Sequence, residues 1–359
     1  MESCVPANSF LRNYLLRGAI GSKNSWESTG RALYDYLSFL QAHDLTWTDV
    51  KRGEEKNLIA AYRGYCFDTA GLARNTVRQR ILYVCKFYEF ALKEGWIERL
   101  PFSLEERNVL SRQIGYLAHG SSIGTHTTTR DVMPSKHQEL PKFLSKDEIK
   151  SLLAAATNPH HKMIIRMALQ TGLRRAEIAT FPTSSVFNPL NKIERNFLIS
   201  LDPRGNGGQQ TKGSKSRSIW ISRSLMTDLY YYASQIRGER ASLTGNIYKN
   251  LFLTIGGEPF ADNGKSIGRI VSHIGQLAHI TVHPHMLRHT YATHTLCALQ
   301  RHKGDTRIEP LVYLQRQLGH ASINTTMIYL HLINDLVDDA ILQYDDELND
   351  WVAMEKCNG

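Results

Sequence analysis

Residues 318–329 read LGHASINTTMIY, and this stretch carries the strongest signal for the fold. Gly319 is typical of the residue that ends a helix, because glycine adopts the left-handed backbone conformation without a steric penalty. His320 follows at once, and Tyr329 comes nine residues later. A tyrosine alone would be interpreted as a core or surface aromatic, and Tyr313 and Tyr344 lie nearby. The meaning of Tyr329 therefore depends on what precedes it in the chain.

A second segment, TGLRRAE at 171–177, places an arginine directly after a helix end. Gly172 closes one helix and Arg174 stands at the start of the next. A fixed guanidinium beside backbone amides suits an oxyanion. Glu177 is placed to orient an arginine or to support the turn.

Between these two segments lie a basic turn and a histidine-rich helix start. TKGSKSR at 211–217 is a flexible turn in which Lys212 can lay an ammonium against a leaving oxygen. HMLRH at 285–289 puts His285 and Arg288 three residues apart, on one helix face. A zinc site in this region is disfavoured, because Arg288 would repel the ion and no acidic ligand is near.

In this order and spacing, the four segments resemble the tyrosine recombinase (phage integrase) family. Its pattern is an arginine after T-G-L, a lysine in a β-turn, H-x-L-R-H, and L-G-H followed by a tyrosine. The resemblance covers about residues 140–332, and the helical region before it resembles the family's core-binding domain more weakly. Any one of these motifs is common, but the ordered set is specific.

The resemblance implies a role for each matching residue. Tyr329 would be the nucleophile, Arg174 and Arg288 the clamp on the scissile phosphate, and Lys212 the donor of a proton to the leaving 5′ oxygen. His285 would be a general acid/base, and His320 would form a hydrogen bond with the phosphate. Glu177 and His289 would be supporting residues, and Lys215 is the fallback for Lys212. The reaction needs no cofactor and no metal ion, because the arginine pair supplies the positive charge, and the chain has no ATP-binding P-loop.

Charge favours the same class of partner. The 359 residues carry 43 Lys and Arg against 34 Asp and Glu, a net charge of +9. Residues 335–359 hold eight of the acids and one base, so the rest of the chain is more basic still. An excess of positive charge of this kind favours binding to DNA, which is a polyanion. Five scattered cysteines, no apolar run long enough for a membrane span and no secretion signal predict a bacterial cytoplasmic protein, associated with the nucleoid through DNA and with no membrane partner.

Helical periodicity and strand patterns predict a mainly α fold with a small β-sheet, of the α+β class, which the resemblance makes a C-shaped clamp around DNA. We predict four regions: a helical core-binding domain, an irregular Gly- and Thr-rich linker, the catalytic domain and an acidic C-terminal helix for subunit contact. The core-binding domain is predicted at 1–115 and the linker at 116–139. The catalytic domain follows at 140–334, and the acidic C-terminal helix at 335–359. DNA contacts are predicted from basic residues off the apolar stripe of one N-terminal helix and in the basic turn: Arg74, Arg78, Arg80, Lys86, Lys215 and Arg217.

The predicted function is a site-specific recombinase that acts through a 3′-phosphotyrosine and mobilises or resolves a mobile genetic element. Its expected partners are double-stranded DNA with an inverted-repeat core site, three further copies of the chain in a tetramer, and accessory DNA-binding proteins. Two alternatives stay open from the sequence. One is a type IB topoisomerase-like enzyme, and the other is an integrase-derived DNA-binding protein without catalysis.

Overall fold

The computed structural model describes residues 5–16, 24–51, 57–109, 125–135, 140–205, 209–301, 309–330 and 332. The chain divides into two compact units, Met1–Glu139 and Leu140–Gly359. Each unit has its own hydrophobic core. Within the described ranges, no helix combines the length and the apolar character needed to cross a bilayer.

The first unit is built on four helices. They are α1 (Val5–Leu16), α2 (Asn24–Ala42), α3 (Leu58–Gly64), which continues into a π-helical turn, and α4 (Arg74–Lys93). The predicted apolar stripe of α4 is confirmed, since Val77, Ile81 and Val84 are buried. Aromatic side chains fill much of this core, and the hydroxyls of Tyr36 and Tyr88 lie 2.7 Å apart within it.

A β-hairpin follows α4, and its second strand lies within the predicted irregular linker. Strands β1 (Leu104–Val109) and β2 (Thr125–Arg130) pair antiparallel. The prediction for 116–139 is therefore wrong for residues 125–130, because β-branched threonines in succession favour an extended strand once a partner strand is present. Val132 is buried in the core of the first unit, and Arg63 Nη1 donates to its carbonyl at 2.9 Å. These contacts assign residues 125–135 to the first unit.

The second unit is mainly helical with one small sheet. Its helices and strands, in chain order, are α5 (Lys146–Ala155), α6 (Pro159–Thr171), α7 (Arg175–Ala179), β3 (Asn196–Leu201), β4 (Arg217–Ser222), α8 (Arg223–Tyr231), α9 (Gly238–Ala241), α10 (Lys265–Leu277), α11 (Pro284–Arg301) and α12 (Pro310–Leu318). Residues 324–330 are also helical. The predicted α+β class, with few and short strands, is confirmed.

The unit begins with a capping box, as predicted. Ser145 Oγ accepts from the backbone N–H of Glu148 at 3.2 Å, and a Glu148 carboxylate oxygen accepts from the N–H of Ser145 at 2.7 Å. Together the two bonds satisfy amide groups that a helix start leaves without partners. The second predicted helix is α6, which ends at Gly172 in the left-handed conformation and packs against α11.

One face of the sheet formed by β3 and β4 packs against the core of the second unit. Phe197 pairs with Ile221 and Leu198 with Trp220, so alternate residues point to the core. One side chain then joins this sheet to two helices. Gln317 of α12 accepts from the Trp220 N–H at 2.8 Å and donates to the carbonyl of Thr171 at 3.2 Å. The ends of α6 and α12 and the edge of the sheet are therefore held together, and the basic residues of the sequence motifs lie there.

Candidate active site

Arg174 reaches the site through a tight reversal of the chain. Gly172 has φ = +66°, and a Cβ at this position would lie 2.5 Å from Tyr291 Cδ1 and 2.8 Å from Leu318 Cδ2. Only glycine meets both demands, because the left-handed conformation and the close approach exclude a side chain. Leu173 is buried and anchors the reversal. Arg174 then stands at the start of α7, with its guanidinium facing the end of α12.

A buried carboxylate fixes that guanidinium. Glu177 Oε1 accepts from Arg174 Nη1 at 3.0 Å, and Glu177 Oε2 accepts from the Arg174 backbone N–H at 2.7 Å. Arg217 grips the same carboxylate with Nη1 at 2.5 Å and Nη2 at 2.9 Å. Burial alone would raise the pKa of Glu177, but the hydrogen bonds and charge of Arg217 and Arg174 outweigh it and lower that pKa. The glutamate stays ionised, so its predicted orienting role agrees with its geometry.

Arg288 projects from α11 and is anchored by two helix ends. Its Nη1 donates to the carbonyl of Gly172 at 2.5 Å and its Nη2 to the carbonyl of Leu318 at 2.5 Å. Both carbonyls lie at helix C-termini, where the helix dipole favours a cation. Burial, with the nearby charge of Arg174, lowers the pKa of Arg288 to about 9, so the side chain is still a cation at neutral pH. Its Nε is buried and has no partner among the described residues.

Tyr329 lies inside this group of cations. The residue is 2% exposed, and its hydroxyl lies 2.9 Å from Nδ1 of His289. The His320 ring stacks almost parallel to the phenol, with 6.3 Å between centroids and 9° between planes. Burial raises the pKa of Tyr329, and the charges of Arg288 and Arg174 act in the opposite direction. The arginines therefore favour the phenolate that burial disfavours.

His320 is placed by the glycine before it. Gly319 has φ = +63°, and a Cβ there would lie 2.5 Å from Arg217 Cδ. The Nη2 of Arg174 donates to the Gly319 carbonyl at 3.2 Å, which links the first and last motifs directly. His320 Nδ1 lies 2.9 Å from Thr326 Oγ1. Burial first, and then Arg288 and Arg174, lower the pKa of His320 to about 3, so it is neutral at pH 7.

His285 and His289 lie one turn apart at the start of α11. Their ring centroids are 4.3 Å apart. His285 is exposed and lines a cleft of about 410 Å³. The other walls of this cleft are mostly basic or polar: Arg174, Arg175, Ala176, Asn263, His283, Pro284 and Arg288. No acidic side chain is among these lining residues, so the cleft can accept an anion.

The two lysines of the basic turn lie shortly before β4. Lys212 lies in a short 3₁₀ turn, Lys212–Ser214, that leads towards β4, and the position of its side chain is outside the described structure. Lys215 is exposed beside it. The preceding glycine-rich stretch includes residues 206–208, which also lie outside the described ranges. The roles of Lys212 and Lys215 stay predictions.

Arg217 lies differently from the prediction. Its side chain is only 11% exposed, and both of its Nη atoms are bound to Glu177. A guanidinium held in this way has little surface left for a phosphate. Its position favours support of the carboxylate over the predicted direct contact with DNA. The sequence missed this because it shows no pairing between residues 40 positions apart.

The predicted DNA contacts of the first unit all lie on α4. Arg74 Nη1 donates to Ser135 Oγ at 2.7 Å, and Arg78 Nη1 donates to the Pro134 carbonyl at 2.5 Å. Lys86 is half-buried. Arg80 forms an ion pair with Asp35, which favours a structural role for this residue. Contact of the other three residues with DNA stays a prediction.

The second unit therefore brings most of the predicted site together. A hydrogen bond joins Arg174 to Glu177 and another joins Tyr329 to His289, while ring contacts bring His320 to Tyr329 and His285 to His289. Arg288 lies near enough to Arg174, Glu177 and Tyr329 for their charges to affect its pKa. Two residues that the sequence did not single out also belong here, Arg175 in the cleft and Thr326 beside His320. Neither has a periodic or spacing signal. In the described part of the chain, no three His, Cys, Asp or Glu side chains group as a metal site would require.

Comparison with known proteins identifies the family of the chain. A model of the phage integrase family matches residues 142–335. The chain is 25% identical to tyrosine recombinase XerD of Oceanobacillus iheyensis over 331 residues, which are 90% of this chain and 92% of the relative.

Two solved structures share the fold at low identity. One is the XerH site-specific recombinase bound to palindromic difH, with a TM-score of 0.60, 18% identity and coverage of 96% of this chain and 86% of the other. The other is the Tn1549 transposon integrase in complex with transposon right-end DNA, with a TM-score of 0.59, 16% identity and coverage of 90% and 94%. Since the family model covers more than half of the chain, the protein belongs to the phage integrase family of tyrosine recombinases.

Proposed function

We propose that the protein is a site-specific DNA recombinase that cleaves and rejoins strands through a covalent 3′-phosphotyrosine at Tyr329. The observation that carries the proposal is that the buried Tyr329 phenol contacts His289 and His320 and lies within reach of the charges of Arg174 and Arg288. Membership of the family and similarity to XerD and XerH support it.

The two arginines have donors left for a phosphate. A guanidinium carries five N–H groups, and Arg174 and Arg288 each direct two Nη donors to the contacts described above. The remaining N–H groups can bind the non-bridging oxygens, whose negative charge increases in the pentavalent transition state. Loss of one such donor typically raises the barrier by about 3 to 4 kcal/mol.

The other roles follow from which atom must gain or lose a proton. The phenol must lose its proton before its oxygen bonds to phosphorus, and the leaving 5′ oxygen must gain one. Lys212 is proposed as the donor to the 5′ oxygen, with Lys215 as the fallback. His285 is proposed as an acid/base at the cleft, and His320 as a hydrogen-bond donor to the phosphate.

Partners and assembly are also proposals. Double-stranded DNA with an inverted-repeat core site is the proposed substrate. A role in moving a genetic element is proposed by analogy with the Tn1549 transposon integrase bound to transposon right-end DNA. A tetramer on DNA and accessory proteins are proposed from the family resemblance alone. The acidic segment 335–359, proposed to contact a neighbouring subunit, lies outside the described residues. Cytoplasmic location stays a prediction.

The test is formation of a covalent adduct. The probe is nicked suicide DNA that carries an inverted repeat from the region flanking the gene, because the lost 5′ fragment traps the phosphotyrosine. We expect an adduct with the wild type and none with Tyr329→Phe. The matched control is Tyr313→Phe, which removes a hydroxyl from a nearby tyrosine of α12 and is expected to keep the adduct.

The outcomes separate the alternatives. Absence of an adduct from the wild type on DNA that it binds would favour a non-catalytic DNA-binding protein. Relaxation of supercoiled plasmids that lack the inverted repeat, at the rate seen with it, would favour a topoisomerase-like enzyme. An adduct that persists in Tyr329→Phe would remove Tyr329 as the nucleophile.

A further inference from the structure

We propose that His289 is the residue that holds the Tyr329 hydroxyl for attack and accepts its proton, and that the proton then leaves through His285. The inference rests on the proposed strand-cleavage function and names a residue to which the family motif assigns no such step. It makes the second histidine of HMLRH a catalytic residue, since it touches the reacting atom.

The contact itself is direct. His289 Nδ1 lies 2.9 Å from Tyr329 Oη, and the ring centroids are 5.7 Å apart. In the proposed step the phenol is the donor and Nδ1 is the acceptor, which requires the His289 tautomer that carries its proton on Nε2. This geometry already meets the distance needed for general-base catalysis.

Burial makes an internal acceptor necessary. Tyr329 is 2% exposed, so water has little access to take the phenol proton. The His320 ring is nearly parallel to the phenol, but its Nδ1 is at hydrogen-bond distance from Thr326. His289 is therefore the histidine whose nitrogen is aimed at the hydroxyl.

An exit for the proton lies on the same helix. The His285 ring is 4.3 Å from the His289 ring, centroid to centroid, and His285 is exposed in the cleft of about 410 Å³ described above. The three groups thus run from a buried phenol, through a half-buried imidazole, to an exposed imidazole. This order is that of a relay from the interior to solvent.

The step balances as follows. The Tyr329 O–H proton moves to Nδ1 of His289 while the phenol oxygen forms its bond to phosphorus. The bond from phosphorus to the 5′ oxygen breaks, and that oxygen takes a proton from a separate donor, proposed above as Lys212. The resulting imidazolium then releases its Nε2 proton to His285, which passes it to solvent, and His289 is neutral again.

The electrostatic surroundings keep the acceptor available. The charged and titratable groups that face His289 are Tyr329, His285, Arg288, His283 and His320. Burial first, and then His285, Arg288 and His283, lower its pKa to about 4. His289 is thus neutral at working pH with its lone pair free. So low a pKa also makes His289 a weak base, so it accepts the proton only as the phenol oxygen bonds to phosphorus.

The experiment separates holding the phenol from accepting its proton. His289→Asn keeps an acceptor oxygen close to the position of Nδ1 but cannot take a proton, whereas His289→Ala loses both functions. Each variant is made with tyrosine and with 3,5-difluorotyrosine at position 329, whose phenol is more acidic. Single-turnover adduct formation on nicked suicide DNA is then measured. DNA binding and the melting temperature show whether each variant is folded.

We expect His289→Asn to lower the adduct rate by about 100-fold or more, as loss of a general base does. Difluorotyrosine should recover about tenfold or more of that loss in His289→Asn and leave the wild-type rate almost unchanged. His294→Asn is the matched control, because His294 lies on the same helix and bonds the Leu144 carbonyl at 2.8 Å. It is expected to react like the wild type.

Two results would overturn the inference while the function stands. One is a folded His289→Asn or His289→Ala protein that forms the adduct within about twofold of the wild-type rate. The other is a slow variant that difluorotyrosine does not accelerate, which would mean that His289 acts only on structure. Failure of the wild type itself to form an adduct would instead overturn the proposed function, and the inference with it.

Discussion

Arg217 holds the buried carboxylate of Glu177 through both Nη atoms, at 2.5 Å and 2.9 Å. The same carboxylate fixes the side chain and the backbone N–H of Arg174. One acid at the start of α7 therefore positions the arginine proposed to bind the phosphate, and the cost of burying its charge is offset by two guanidinium groups. Arg217 is remote in sequence from α7 and yet decides how that arginine is presented.

Removal of this support should cost both stability and activity. Arg217→Ala leaves the buried Glu177 with one cation instead of two, and we expect a loss of up to about 3 kcal/mol in the free energy of unfolding of the second unit. The adduct rate should also fall, because Arg174 is less well fixed. Urea unfolding and suicide-DNA cleavage measure the two effects. An unchanged stability together with a reduced dependence of DNA binding on salt would instead show that Arg217 contacts DNA.

The Glu177 carboxylate also predicts a dependence of stability on pH. Its pKa is lowered in the folded protein, so the group contributes stability above its unfolded-state pKa, and this contribution is lost as the pH falls through the folded-state pKa. Glu177→Gln should be less stable at neutral pH and should lose less stability on acidification. Urea unfolding of the wild type and of Glu177→Gln, from pH 7 into the acid range, gives the slope of the free energy of unfolding against pH for each protein. Parallel slopes in the two proteins would contradict the prediction.

The chain reversal at Gly172 places Arg174, and the Gly172 carbonyl anchors Arg288. A substitution at Gly172 therefore tests this reversal. Gly172→Ala strains the backbone at φ = +66° and drives a Cβ to 2.5 Å from Tyr291. We expect a loss of about 2 kcal/mol or more, since the strain and the clash add. Gly213→Ala is the control, because φ there is +70° but no atom lies within 4 Å of the added Cβ. It should cost only about 1 kcal/mol. Equal losses would show that the packing at Gly172 contributes nothing.

Arg74 and Arg80 should behave differently although both lie on α4. Arg74→Ala should weaken DNA binding and reduce the slope of log affinity against log salt by about 1, because one phosphate contact is lost. Arg80→Ala should mainly destabilise the first unit, since Arg80 pairs with Asp35. Binding titrations over a range of salt, with thermal unfolding, separate the two effects. Arg31→Ala, which removes an exposed arginine of α2, is the matched control. A slope that Arg74→Ala leaves unchanged would exclude the contact.

Deletion of residues 335–359 should impair assembly on DNA. The segment is acidic and carries apolar residues at helical spacing, which suits a contact with a basic neighbouring subunit. We expect binding of one copy to a half-site to persist, while complexes that join two DNA sites become fewer. Native gels with one and with two labelled sites measure this. Full-rate recombination by the truncated protein would show that the segment is dispensable.

The sequence by itself determined the family, the helix ends and the identity of most site residues. Gly172, Gly319 and the capping box at Ser145 follow local rules, because backbone conformation and hydrogen bonding within four residues decide them. The four ordered motifs then identified Arg174, Arg288 and Tyr329 as members of one site.

Only the tertiary structure decided which of these groups touch. The bonds of Arg217 to Glu177, of Arg174 to Gly319 and of Tyr329 to His289 join residues 40 to 145 positions apart. The pairing of residues 125–130 with β1 likewise depends on a strand elsewhere in the chain. Such contacts depend on how helices and strands pack against one another, and no periodicity or spacing within a segment encodes that packing.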